Sequence, residues 1–283
     1  DLGFDIVSLA NNHILDMRER GLLNTINYWR TLPVVTVGAY LDAEDEATLR
    51  IIERNGARIA VLAYTYGANG RTVAADSSLV VPFYKEPHKN SPDYGTIFEK
   101  KLRSEVAKAK AAADVVLVSV HWGYEDTQKV NEEQKKVAQI LCDAGADIIL
   151  GQHPHVLQPI EYIKSTDGEH TAFCAYSLGN FLGMQGYDYN ALSGILTFDI
   201  RVGLGGVAVE NVLLTPTVSY FNKNFRDNEI YLLSDFTDEL CRTHCVAVRG
   251  GDGTFGGVIT LSSLRYYLNN AIADEYLPPE FRK

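Results

Sequence analysis

Three segments of the chain share one layout, in which an aspartate opens an apolar run and side chains able to hold a metal or move a proton follow at its end. They are Asp5-Ile-Val-Ser-Leu-Ala-Asn-Asn-His13, Asp114-Val-Val-Leu-Val-Ser-Val-His121-Trp122-Gly123 and Asp147-Ile-Ile-Leu-Gly-Gln-His153-Pro-His155. Continuous Val, Ile and Leu over this length reads as a strand buried on both faces, the mark of a parallel or mixed sheet between covering layers. Parallel strands need crossovers, and helical patterns separate these three. Asp16-Met-Arg-Glu19 has the form of a capping box opening a helix from Met17 to Leu32, and Thr96-Ile-Phe-Glu99 repeats it before a helix ending near Ala113. Asn131-Glu-Glu-Gln134 opens a third, which Gly145 stops. Ala43 to Asn55 is also helix-like and precedes a strand from Arg58.

From about Thr171 strands follow one another without helices: Thr171 to Ser177, Gly194 to Val202 and Gly206 to Leu214, the last two joined by a Gly-rich turn. Helix-strand units followed by such a meander predict an α/β protein with two packed sheets and helices outside, a four-layer α/β/β/α sandwich. One domain accounts for residues 1–283, with a core at 1–215 and an extension at 216–283 that includes a helix from Leu261 to Asp274. Residues 67–95 form a long loop that serves equally as a substrate lid or a surface excursion.

The net charge of -10 argues against a nucleic-acid surface, because phosphate backbones select for an excess of Lys and Arg. No apolar run approaches the roughly 20 residues that span a bilayer. The four cysteines fall in no Cys-x-x-Cys spacing, and Cys241, His244 and Cys245 read as structural rather than as metal ligands. The chain begins almost at once with a strand and without a start methionine, so it reads as part of a longer protein lacking its N-terminal strand or strands.

In α/β sheets ligands bind beyond the carboxyl ends of the strands, and Asn12, His13, His121, His153 and His155 all fall at such ends. His153 and His155 flank Pro154 and reach one small volume only from an extended loop, a spacing that suits two adjacent metals. An amide oxygen from Asn12 together with imidazoles points to manganese, iron or zinc rather than calcium. His13 is the candidate for protonating a leaving group, its alternative being a further ligand. Asp16 either orients His13 or caps the following helix. Glu125 is a second-layer carboxylate, a substrate contact or a solvated loop residue, and Asn180 either reaches the pocket or shapes a tight turn. His88, His170 and His244 lie in loop or tail settings and read as structural or surface residues.

The same residues resemble the capsule biosynthesis proteins of the CapA type, within the calcineurin-like metallophosphatase superfamily. Ser8 to Asp16 is similar to that family's Asn-Asn-His-x-x-Asp motif, and Ser119 to Glu125 to its His-Trp-Gly-x-Glu motif. Gly145 to Glu161 and Tyr176 to Phe181 resemble the third and fourth, over about residues 1–215. Gln152 stands where many relatives have His, and the family's opening Gly-Asp strand and Asn-Leu-Glu segment are absent. The resemblance implies a metallophosphatase-like sandwich with two divalent transition-metal ions (Mn, Fe or Zn), Asn12, His121, His153 and His155 as ligands and His13 as proton donor. It also implies hydrolysis of an anionic substrate, a phosphoester or the amide bonds of poly-gamma-glutamate, in capsule synthesis. The alternative is a non-catalytic accessory factor for polyglutamate synthesis and export. A membrane-bound polyglutamate synthase as partner, and a place in the cell envelope with an anchor in a missing N-terminus, follow from the same resemblance.

Overall fold

The computed structural model describes residues 3–86, 95–249 and 258–283. The elements in order are β1 (Ile6–Ser8), α1 (Arg18–Trp29), β2 (Val35–Val37), α2 (Ala43–Ala47), β3 (Arg50–Arg54), β4 (Ala57–Thr65), α3 (Glu99–Ala112), β5 (Val115–His121), α4 (Glu132–Asp143), β6 (Ile148–Gln152), β7 (Ile160–Lys164) and β8 (Thr171–Ala175). There follow α5 (Asp188–Ala191), β9 (Leu192–Gly203), β10 (Gly206–Tyr220), β11 (Glu229–Leu232), α6 (Asp238–Thr243), α7 (Cys245–Arg249) and α8 (Leu261–Ala271). The protein is mixed α/β. A six-stranded sheet runs β3-β4-β5-β6-β8-β7, a three-stranded sheet runs β11-β10-β9, and β1 pairs with β2. Strands β4, β5, β6 and β8 are mutually parallel, and antiparallel β3 and β7 form the two edges.

Side chains alternate across a strand, and that period of two sets the layering. On β5, Val116, Val118 and Val120 enter a core with Leu102, Val106 and Ala109 of α3 and Val137 and Leu141 of α4. Val115 and, on β6, Ile148 join a second core with Leu192, Leu214 and Val218 of β9 and β10 and Leu264 and Leu268 of α8. Nearer the other edge, Val61 and Ala63 of β4 meet Ala10 and Val37 beside β1 and β2. The six-stranded sheet is thus covered by helices on one side and by the smaller sheets on the other. β10 runs unbroken through position 215, and the tail residues Phe221, Leu233, Phe236 and Leu277 share the second core. Among the described residues no helix is long and apolar enough to cross a membrane.

Local chemistry explains where the structure departs from the sequence reading. The Asn131 capping box forms in full, with Asn131 Oδ1 accepting from Gln134 N and the Gln134 side chain returning to Asn131 N. The other two boxes do not form. Helix α1 begins at Arg18 with Met17 at its cap, because the Asp16 carboxylate is engaged by His13 and Glu19 accepts from Ala74 N. Helix α3 begins at Glu99, and Thr96 is held by backbone pairing with Glu86. The helix-like stretch from Ala43 is helical only to Ala47; Arg50 to Arg54 is a strand that turns back at Asn55-Gly56, both with positive φ, to pair with β4. Strand β7 has no counterpart in the sequence reading. The last helix ends at Ala271, short of Asp274. Of the 67–95 loop, Val80 and Phe83 bridge to Tyr40 and Thr65, while residues 87–94, with His88, lie outside the described residues. All four cysteines are buried, and His244 is bonded to Ser219 O and Val246 N, a structural role.

One glycine in β6 has a packing reason that can be tested. A Cβ on Gly151 would fall far inside contact distance of the Tyr176 carbonyl and of Trp122 Nε1, whose N–H donates to that carbonyl at 3.0 Å. Neither partner can retreat, since Trp122 is fully buried. Gly151→Ala should therefore destabilise the fold by about 3 kcal/mol, read as a drop in the urea unfolding midpoint.

Candidate metal centre

The candidate site lies beyond the carboxyl ends of β1, β4, β5 and β6. Position 121 has the same parity on β5 as Leu117 and Ser119, so His121 faces the β1–β2 side of the sheet rather than the helices. The turn after β1 brings Asn12 to it, and Asn12 Oδ1 lies 3.0 Å from His121 Nε2. Two ligands about 2.1 Å from one ion in a cis arrangement are ~3 Å apart, so this pair fits a shared cation as well as it fits a hydrogen bond. The β6 loop adds His153, its ring centroid 4.7 Å from that of His121, and His155, 6.0 Å from that of His153. Asn12, His121 and His153 are 4%, 8% and 7% exposed, in contrast to the open His13.

The loop that presents the two histidines is strained. His153 has φ +100° and His155 φ +59°, a region that costs a non-glycine residue about 1–2 kcal/mol. Hydrogen bonds to His155 hold that shape: Nδ1 donates to Asn180 Oδ1 at 2.7 Å, leaving Nε2 for the pocket, and Asn190 Nδ2 reaches the His155 carbonyl at 3.3 Å. Asn180 therefore stands behind His155 and orients it. Glu125 Oε1 lies 4.0 Å from His153 Nδ1, and ligand atoms of Glu125, His153 and His155 all fall within 4.8 Å of one another.

Electrostatics keep the inner imidazoles neutral. Burial, followed by the fields of His153, His155 and His13, holds His121 well below the usual histidine range. Burial, followed by His155 and His13, brings His153 down to about 3. Both therefore present lone pairs at neutral pH, and Nδ1 of each is buried without a hydrogen-bond partner among the described residues. Orphaned buried nitrogens are rare and expensive in a finished fold, so Nδ1 of His153 fits a bound cation; on His121 an ion shared with Asn12 would sit at Nε2, and the orphaned Nδ1 of that ring points away from it. The mixed N and O donors suit a divalent transition ion.

His13 occupies the rim. Its Nδ1 is 2.6 Å from Asp16 Oδ2, an arrangement that fixes the tautomer and leaves Nε2 available for proton transfer. Of the two roles open to Asp16, the structure takes the orienting one. Two residues escaped the sequence reading. Tyr66 stacks parallel to His121 and lies 4.9 Å from His153, and Asn69 accepts from Asn12 at 3.2 Å while its amide nitrogen lies 3.4 Å from His13 Nδ1. Both follow β4, whose Thr65 pairs with His121, so the strand-end rule that found the histidines applies to them as well.

Comparison with known proteins bears on this arrangement. Residues 1–185 match the family model described as bacterial capsule synthesis protein PGA_cap. The chain is 32% identical over 202 residues to the PGA biosynthesis protein CapA of Bacillus subtilis (strain 168), covering 71% of this chain and 48% of that protein. It is 31% identical over 205 residues to the capsule biosynthesis protein CapA of Bacillus anthracis, covering 71% and 45%. A probable polyglutamine synthesis accessory protein of Mycobacterium tuberculosis (strain CDC 1551 / Oshkosh) is 28% identical over 166 residues, covering 56% and 41%. The chain thus spans about half the length of the curated relatives it matches. A crystal structure of a hypothetical protein from Thermus thermophilus overlays with a TM-score of 0.44 at 17% identity, covering 75% of this chain and 77% of that one.

The buried histidines predict acid sensitivity in the metal-stripped protein. The native state keeps His153 neutral while the unfolded chain protonates it below about pH 6.5, so the stability is complete above that pH and is lost as pH falls toward 3. At pH 5 this amounts to about 2 kcal/mol. Urea midpoints at pH 7.5 and 5.0 should differ accordingly, and the difference should shrink in His153→Gln; an unaltered difference would show that His153 is not buried neutral.

Proposed function

The chain belongs to the bacterial capsule synthesis protein family PGA_cap, and from that premise we propose that it is a dinuclear metal-dependent hydrolase of capsule polymer synthesis. Its substrate is an anionic phosphoester or the amide bonds of a polyglutamate chain, and its fold is a metallophosphatase-like four-layer sandwich. The observation that supports this reading is the gathering of Asn12, His121, His153 and His155 in one place, with a buried His153 Nδ1 that has no hydrogen-bond partner among the described residues. Glu125, grouped with His153 and His155, extends the proposed ligand set beyond those four.

Asn12 and His121 would hold one side of the metal pair and His153, His155 and Glu125 the other. Divalent ions bound there supply Lewis acidity toward the substrate and toward water. The chain's own residues do the rest. His13, oriented by Asp16 through Nδ1, takes up a proton at Nε2 from solvent and passes that proton to the departing oxygen or nitrogen. Tyr66 closes one side of the pocket with its ring and limits water there. Asn180 keeps His155 in the tautomer that offers Nε2 inward. The names of the Bacillus relatives support a role in the cell envelope, with a membrane-bound polymer synthase as partner.

A second reading is a metal-containing accessory factor that holds the polymer without cleaving it. The name of the Mycobacterium relative favours it, as does the single carboxylate that joins the histidine cluster among the described residues. Metal analysis with assays on an aryl phosphate and on poly-gamma-glutamate separates the two. The hydrolase should carry two metal equivalents and lose metal and turnover together in His153→Ala. His13→Ala should retain metal and lower kcat by about 10²- to 10⁴-fold. Full metal content with neither substrate cleaved would establish the accessory reading instead.

A further inference from the structure

The start of α1 and the segment after Asn69 line an open cavity of about 510 Å³, whose wall includes Leu15, two residues after His13, and Gly70, next to Asn69. Arg18, Arg20 and Arg71 contribute to its wall, together with Glu19. In a chain with 36 acidic residues and a net charge of -10, many arginines elsewhere are paired, Arg30 and Arg50 with Asp45, Arg103 with Glu99, Arg201 with Glu210, while the exposed Arg58 and Arg226 stand singly without a side-chain partner among the described residues; the cavity differs in gathering three arginines on one wall. The three in the cavity make no side-chain ion pair or hydrogen bond among the described residues. Glu19 does not neutralise them by pairing, since its Oε1 accepts from Ala74 N at 2.5 Å. The cavity thus carries three unengaged guanidinium groups against one engaged carboxylate.

Its position ties it to the proposed reaction. Arg18 follows by two residues the Asp16 that grips His13, and Arg71 follows by two the Asn69 that touches both Asn12 and His13. A substrate placed for proton transfer from His13 would extend a neighbouring unit toward these arginines. Guanidinium groups bind carboxylate and phosphate oxygens in bidentate fashion and stay charged at every relevant pH. We propose that Arg18, Arg20 and Arg71 form an oxyanion-binding subsite that grips a carboxylate or phosphate of the substrate next to the bond that is broken. The subsite deepens the hydrolase reading and rests on it for the identity of that bond, but anion binding can be measured without turnover.

The test is calorimetric titration of the whole, metal-loaded chain with inorganic phosphate and, separately, with a gamma-linked triglutamate. Arg18→Gln/Arg71→Gln and Arg20→Gln are compared with Lys223→Gln, which removes one positive charge outside the cavity and so matches the single variant. All replaced side chains except the half-buried Arg71 are exposed, and matching thermal midpoints will confirm folding. The double variant should bind at least one anion about tenfold more weakly or worse, with Lys223→Gln unchanged. In hydrolysis its KM should rise while kcat holds. The anion that loses more identifies the source, carboxylate or phosphate. Repeated in a His153→Ala background, arginine replacement should still cost about tenfold, which separates this subsite from anions held at the metal centre. Wild-type affinity in the double variant, or a loss that vanishes in the His153→Ala background, would overturn the subsite. Arginine-dependent binding without hydrolysis by the wild type would instead overturn the hydrolase reading and leave the subsite standing.

Discussion

The contact between Asn12 and His121 is the constraint from which the arrangement of the site follows. It joins residues 109 positions apart and exists only because β5 ends with the parity that turns position 121 toward β1 and β2. A slip of one residue in the pairing of β5 would send His121 into the helix-facing core and bring Val120 to the pocket. The apolar alternation that fixes the register, with Val116, Val118 and Val120 on one side and Val115 on the other, is thus also what aims the imidazole. Hydrophobic burial selects the register, and the polar site inherits its geometry from that choice.

Much of this was legible in the sequence where one signal acted alone. The central strands are marked by long apolar runs, and α4 by a capping box in which Gln134 Oε1 serves Asn131 N while its Nε2 separately donates to Gln158. The same pattern misled at Asp16, because a carboxylate next to a helix start can serve a backbone amide or a nearby imidazole, and His13 at 2.6 Å won. At Thr96 the backbone was already committed to Glu86. Composition misled at Ala43 to Asn55, where acidic residues raised the helical signal and obscured Asn55-Gly56, a dipeptide suited to a two-residue hairpin turn.

The histidines are legible as strand-end residues, whereas Asn69 falls in the stretch read as loop and Tyr66 lies between that loop and the strand before it. Their side chains are ordinary in loops, and nothing short of the pairing of Thr65 with His121 brings them to the same place. Glu125 was left among three roles for a similar reason: its proximity to His153 depends on the turn made by Gly123 and Asp126, both at positive φ. Pairwise distance in such loops is a tertiary property that the local sequence does not encode.

The left-handed backbone at His153 and His155 bears on how this loop can drift over evolutionary time. Glycine would relax the backbone at both positions, but it would also unpair Asn180 Oδ1 and leave a void beside Tyr66 and His121, so a lineage that no longer used the imidazoles could discard them only with repacking around them. The backbone cost and these side-chain contacts are thus tied together, and replacement of both residues by glycine in a descendant, with changes at Tyr66 and Asn180, would be a sign that the pocket had changed its occupation.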